Sequence, residues 1–236
     1  MNTAVQPADR AAFRIAALAI ISAVTACAAS IAGTVTAADG TLIDAALTLH
    51  DLSTARVAGA QPFDHRFASG RDGTFSHSGI PAATYEICVD APHQRVLDPC
   101  RWGDSTAKVT LAAGDAVTGF ALIVRRGYLL QVRVNDPGQV LPAPVGGIAG
   151  SALQMTVQTP LGRYENLRLQ GSDAAGRTHY LVIPYDRPFL LSASAGPGLA
   201  LIDSYGQRYT NDSALIPILV AAGGSQPAVT FRVGKQ

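Results

Sequence analysis

Charge is scarce in this sequence. Asp, Glu, Lys and Arg together make up 15% of the 236 residues, and the formal net charge at pH 7 is +1. No basic field is present to hold nucleic acid along its backbone. Aromatic residues are only 6%, with a single tryptophan, and cysteine occurs three times. Uninterrupted helical stripes are also missing, because 23 Gly and 14 Pro recur along the chain, too often for a long-helix protein. What the sequence does have is apolar mass. Hydrophobic residues reach 48%, enough to bury a core, which excludes a disordered tail. The length suits one large domain or two of about 110 residues.

The N-terminus reads as an address. Arg10 and Arg14 precede an uncharged run over residues 15–30. That run falls short of the roughly 20 residues a membrane span needs. A basic start, a short apolar stretch and a small-residue exit describe an export signal over residues 1–28. Two processing outcomes are open. Ala26-Cys27-Ala28 has the form of a general cleavage site. Val24-Thr25-Ala26-Cys27 resembles the lipobox of bacterial lipoproteins, in which Cys27 carries the lipid. Either way the protein is expected outside the cytoplasm, in the periplasm or beyond, with no membrane span.

Cys88 and Cys100 then remain as a pair in an exported chain, where disulfides persist. A bridge between them closes a short loop and is worth about 3 kcal/mol in the chain-entropy model. Two cysteines without a supporting histidine pattern do not make a metal centre, so neither a metal nor another cofactor is expected.

From residue 31 the chain reads as short strands divided by Gly, Pro and Asp turns. The first series falls at 31–36, 45–50, 63–68, 74–77, 84–89, 107–111 and 116–124. Strands 63–68 and 74–77 are expected to form a hairpin across Gly70-Arg71-Asp72-Gly73. The second series falls at 128–134, 153–159, 163–170, 179–183, 189–195, 199–203 and 228–233. Strands at this spacing indicate an all-β protein of two sandwiches, residues 29–126 and 127–236.

One part of the first series carries a pattern. It runs Ile31-x-Gly33-x-Val35, Asp39-Gly40, Ala45-Ala46-x-Thr48-Leu49, Asp72-Gly73-x-Phe75, then Gly79-Ile80-Pro81-Ala82-x-x-Tyr85-x-Ile87-x-Val89. This resembles the carboxypeptidase regulatory-like domain, a prealbumin-type sandwich of seven strands grouped with carbohydrate-binding-like folds. The resemblance implies that Phe75 and Tyr85 fill the core and that the Gly-Ile-Pro-Ala corner moves the chain between sheets. It implies an accessory module with no catalytic residues.

Few residues stand in a pattern that carries chemistry. His50, His65, His77, His93 and His179 show no metal-binding spacing. His65 and His77 fall near each other only if the hairpin forms, and they read as solvent-facing strand residues. No serine stands in a G-x-S-x-G context. Asp203, Asn211 and Asp212 flank an aromatic stretch without calcium-loop spacing and read as turn residues. Trp102, beside the expected bridge, reads first as a plug over the disulfide and the sandwich end and second as a sugar platform, and with Arg101 it forms a pair of the kind enriched in contact sites. The expected function is a non-catalytic exported accessory protein that binds an envelope protein or a polysaccharide. The alternative is a carbohydrate-binding module using an exposed aromatic such as Trp102.

Overall fold

The computed structural model describes residues 28–52, 64–103, 107–143, 152–159, 161–162, 164–226 and 228–236. The export signal and Cys27 lie outside the described residues. The described residues form an all-β structure of two sandwiches.

The first sandwich has seven strands: β1 (Ala29–Ala37), β2 (Ala46–Asp51), β3 (Asp64–Ala68), β4 (Thr74–Ile80), β5 (Ala83–Asp90), β6 (Lys108–Leu111) and β7 (Ala116–Val124). They form a three-stranded sheet, β4-β1-β7, and a four-stranded sheet, β3-β2-β5-β6. Alternation explains the layers. Leu47 and Leu49 of β2 and Tyr85, Ile87 and Val89 of β5 point inward to meet Ile31, Val35 and Phe75 from the facing sheet. The chain changes sheet at Ile80-Pro81 as the corner motif implied, and the Tyr85 hydroxyl donates to the Pro81 carbonyl at 2.9 Å. Proline can occupy this corner because no ladder there requires its N–H.

The second sandwich pairs the sheet β10-β9-β13-β16 with the sheet β11-β12-β8-β17-β14-β15. Its strands are β8 (Tyr128–Asn135), β9 (Leu153–Gln158), β10 (Tyr164–Asn166), β11 (Arg168–Asp173), β12 (Gly176–Ile183), β13 (Pro188–Ala195), β14 (Leu199–Ile202), β15 (Arg208–Tyr209), β16 (Ala214–Leu219) and β17 (Val229–Lys235). Both sandwiches close in the same way, although their sequences show no repeat. The first strand pairs in parallel with the last, β1 with β7 and β8 with β17.

The β1–β7 pairing dictates a glycine. Its register slips between Ile31 and Gly33, and the Phe120 carbonyl oxygen stands only 1.9 Å from where a Cβ on Gly33 would lie. No side chain fits there.

Two expectations need correction, and one strand lies where none was expected. Strands β3 and β4 do not form a hairpin, since β3 pairs with β2 and β4 with β1, in different sheets. The stretch 163–170 is not one strand. Leu167 turns inward, its N–H bonded to the Met155 carbonyl, and the chain passes from β10 in one sheet to β11 in the other. Strand β16 contains Pro217, which masks it in the sequence. Its edge position tolerates a residue without an N–H.

Candidate functional site

The most elaborated local structure lies where the sandwiches meet, in the β5–β6 connection. After β5 the chain makes a 3-10 turn (Pro92–Gln94) and a single helical turn, α1 (Pro99–Trp102). Asp98 caps that turn. Its Oδ1 accepts the backbone N–H groups of Cys100 and Val89, each at 3.1 Å. Pro99 occupies the first helical position, where no N–H is missed. The cap sets Cys100 against β5, and the Cys88–Cys100 disulfide forms, with Cα atoms 5.2 Å apart.

The β5–β6 connection sends two apolar side chains out of its own sandwich, Leu97 from within the disulfide-closed loop and Trp102 from just beyond it. Leu97 and Trp102 are buried in the second core, and Trp102 is only 4% exposed. The Trp102 ring meets Phe189 edge-on, with centroids 5.4 Å apart, a favoured geometry for an aromatic pair. Trp102 is therefore a plug between sandwiches and not an exposed aromatic. A sugar ring needs an open face to stack on, and this one is covered.

Gly127 completes the joint. A Cβ there would stand 2.5 Å from the Ile183 carbonyl oxygen and 2.7 Å from a Leu97 methyl. Around it, Gly127 N–H donates to the Arg95 carbonyl at 2.7 Å, and Leu97 N–H to the Arg125 carbonyl at 2.8 Å.

Ion pairs cross the same boundary. Arg101 reaches both Asp98 at 3.0 Å and Glu165 of β10 at 3.1 Å. Asp90 at the end of β5 meets Arg168 of β11 at 2.5 Å. Burial pushes the Asp98 carboxyl above its usual range, and Arg101 with the two capping N–H groups draws it only partly back.

These pairs wall one end of a groove of about 500 Å³ over the outer face of the β3-β2-β5-β6 sheet. Its floor carries His50, Asp64, Arg66 and Glu86. The sequence reading did not pair His50 with Asp64, because they are 14 residues apart. The β2–β3 register sets them opposite each other, and His50 Nδ1 stands 2.9 Å from Asp64 Oδ1. Among the described residues, each is the other's side-chain partner, and neither is hydrogen-bonded to a hydroxyl or a thiol.

Two further groupings have a chemical look. Cys88, Asp98 and Cys100 lie within 4.8 Å of one another, but the two sulfurs are bonded to each other and have no thiolate to offer a metal. His77 Nε2 stands 3.3 Å from His65 Nδ1 across the gap between sheets. The structure corrects the solvent-facing reading of this pair: both rings are half-buried, and His77 stacks on Phe67 with centroids 4.8 Å apart. Burial first, and then His65, hold the His77 pKa below its usual value.

Asp203 behaves as a turn residue. Its carboxylate accepts Tyr205 N–H and Gln207 N–H at 2.9 Å and the Tyr209 hydroxyl at 3.0 Å.

No family model and no curated protein matches the chain. Among solved structures, a streptococcal ancillary pilin is 13% identical over 90% of this chain, with a TM-score of 0.36. The chain spans 63% of that pilin's length. The shaft pilin spaA of Lactobacillus rhamnosus GG is 9% identical, covering 89% of this chain and 99% of its own, with a TM-score of 0.30. A DUF3823 family protein of Bacteroides uniformis is 15% identical, covering 81% of this chain and 98% of its own, at a TM-score of 0.28.

Proposed function

We propose that the protein is a non-catalytic accessory module of the cell envelope, exported by residues 1–28 and built from two sandwiches that meet at residues 126 and 127. One observation carries the reading. The Leu97 and Trp102 plug, the disulfide behind it and the ion pairs beside it fix one sandwich against the other. That investment goes into a fixed spacing between two surfaces, as a binding or structural element requires. Ligand sites favour such boundaries, and the polar groove beside the joint is the surface we assign to contact with an envelope protein.

The non-catalytic reading is supported by the groove's contents. A hydrolase needs a nucleophile next to its base, and among the described residues no hydroxyl or thiol is hydrogen-bonded to the His50–Asp64 pair. The carbohydrate alternative loses Trp102, whose ring is covered, and keeps only tyrosines such as Tyr164 and Tyr205, which are exposed. Arg101 is committed to Asp98 and Glu165, so in this reading it shapes the rim of the groove.

The test compares wild type with Arg66→Glu and His50→Ala in pull-downs from envelope extract, with thermal melts to check folding. The expected result is one partner recovered by wild type and lost with Arg66→Glu. Equal recovery by folded variants removes the groove from the contact, and turnover of ester or glycosidic substrates overturns the non-catalytic reading.

A further inference from the structure

Charge is distributed unevenly over the second sandwich. The outer face of the sheet containing β8, β12 and β17 carries Arg133, Asp173 and Arg232, with Arg133 bonded to Asp173 at 2.6 Å. Among the described residues, the outward strand positions of the β10-β9-β13-β16 sheet carry no charged side chain. Inward positions there are Met155, Val157, Leu191, Ala193 and Ile218, all in the core. Outward positions alternate with them. Register places Asn166, Thr156, Ser192 and Leu215 in one row across all four strands, with Tyr164 opposite Gln158 and Leu190 opposite Pro217 beside it.

The aliphatic part of this face lies open. Leu190 is 47% exposed, Leu215 55% and Leu219 63%, with Pro188 opposite Leu219. The uncharged outer face of the first sandwich differs, being mostly Ser, Thr and Ala, such as Thr34, Thr36, Thr74 and Ser76.

We infer that the β10-β9-β13-β16 face is a self-association surface, on which a second copy of this chain packs its own equivalent face, sheet on sheet. Three observations select that occupant. First, across a two-fold axis every group near the axis meets its own copy, so a charge there opposes itself. A face without charge removes that penalty, whereas a different partner could be met with complementary charge. Second, the polar residues between the leucines are Gln, Thr, Ser and Asn, each able to donate and accept. They can bond to their own copies, as acidic or basic groups cannot.

Third, the size fits. Four strands at about 4.8 Å spacing and six or so residues of about 3.3 Å rise give a footprint of roughly 400 Å² in projection. Side-chain relief brings its accessible area to the order of the ~800 Å² that each partner buries in a standard interface. Charge depletion with retained apolar area is also the mark of an interface core.

The geometry is face to face and not edge to edge. Pro217 removes a donor from the β16 edge, and the other edge strand, β10, is only three residues long. Both features block strand addition.

Sedimentation velocity on the full exported chain tests the proposal at about 100 µM, where even a micromolar interface of standard size is filled. A dimer is expected. Leu190→Lys is expected to raise the dissociation constant at least about 100-fold, since it buries like charges against each other. Arg232→Glu, on the opposite sheet, is expected to leave the dimer intact. Ser192→Asp gives the same reading with a smaller side chain and decides the matter if Leu190→Lys does not fold. A wild type that stays monomeric overturns the inference, including one that instead binds an uncharged polysaccharide. A dimer that survives folded Leu190→Lys or Ser192→Asp overturns it as well.

Discussion

Trp102 lies edge-on against Phe189 with ring centroids 5.4 Å apart, although Trp102 hangs from the first sandwich and Phe189 belongs to a strand of the second. Two kinds of interaction hold this joint, and their magnitudes differ. The Asp90–Arg168 pair is bridged at 2.5 Å, but both side chains are more than a third exposed. Such pairs are worth about 0–1 kcal/mol. Truncating a buried aromatic costs about 3–5 kcal/mol.

Trp102→Ala is therefore expected to lower stability by about 3–5 kcal/mol, and Arg168→Ala by less than about 1 kcal/mol. Urea denaturation of both variants checks this. Equal costs would mean that the ion pairs, and not the plug, hold the joint.

The disulfide should matter beyond its own loop, because Cys100 and Trp102 share one helical turn. Replacing both Cys88 and Cys100 with Ser is expected to cost about 2–4 kcal/mol. Non-reducing peptide mapping should recover the two cysteine peptides linked. Two freely alkylated thiols in the denatured, unreduced protein would refute the bridge in the mature chain.

How much of this was legible follows from what each signal is made of. Alternation is local, so most strands of the first sandwich could be read directly, while the inward places of Phe75 and Tyr85 came from the family pattern. The cysteine pair could be read from its count. Sheet membership is not local. Nothing in residues 63–77 says that β3 and β4 part into different sheets, because the decision lies in pairing with β2 and β1. The same non-locality hid the His50–Asp64 contact and the destination of Trp102. Proline chemistry hid β16, since a rule that holds for central strands lapses at an edge.

Gly33 offers a test of the parallel closure. Its Cβ position is 1.9 Å from the Phe120 carbonyl oxygen, and backbone on both sides is held by strand pairing. Gly33→Ala is expected to lower stability by about 1–3 kcal/mol or more, as overpacking does. Gly40, with nothing within 4 Å of its Cβ position but a φ of 81°, is expected to lose less, about 1 kcal/mol, from backbone strain alone. Thermal melts of the two alanine variants should therefore rank Gly33→Ala below Gly40→Ala, and the reverse order would argue against the tight β1–β7 approach.

His179 of β12 is 0% exposed, and neither ring nitrogen has a hydrogen-bond partner among the described residues. Burial, and next the neighbouring Arg177, lower its pKa from 6.5 to about 4. In the unfolded chain the imidazole regains the ordinary value, so between pH 6.5 and about 4 the unfolded state binds more protons than the folded one. Stability is then full above pH 6.5 and falls as the pH drops toward 4. At about 1.4 kcal/mol per pKa unit the loss is of order 3 kcal/mol. Two other groups can be separated from it by sign or by window. Asp98, with a raised folded pKa, gains stability as the pH falls and opposes the trend. Asp39, lowered to about 2, contributes its loss only below its ordinary 3.8. His179→Leu keeps the apolar surroundings and removes the titration. Denaturant midpoints at pH 7 and pH 4.5 should therefore draw closer together in the variant than in wild type, and an unchanged difference would show that His179 does not set the acid limit.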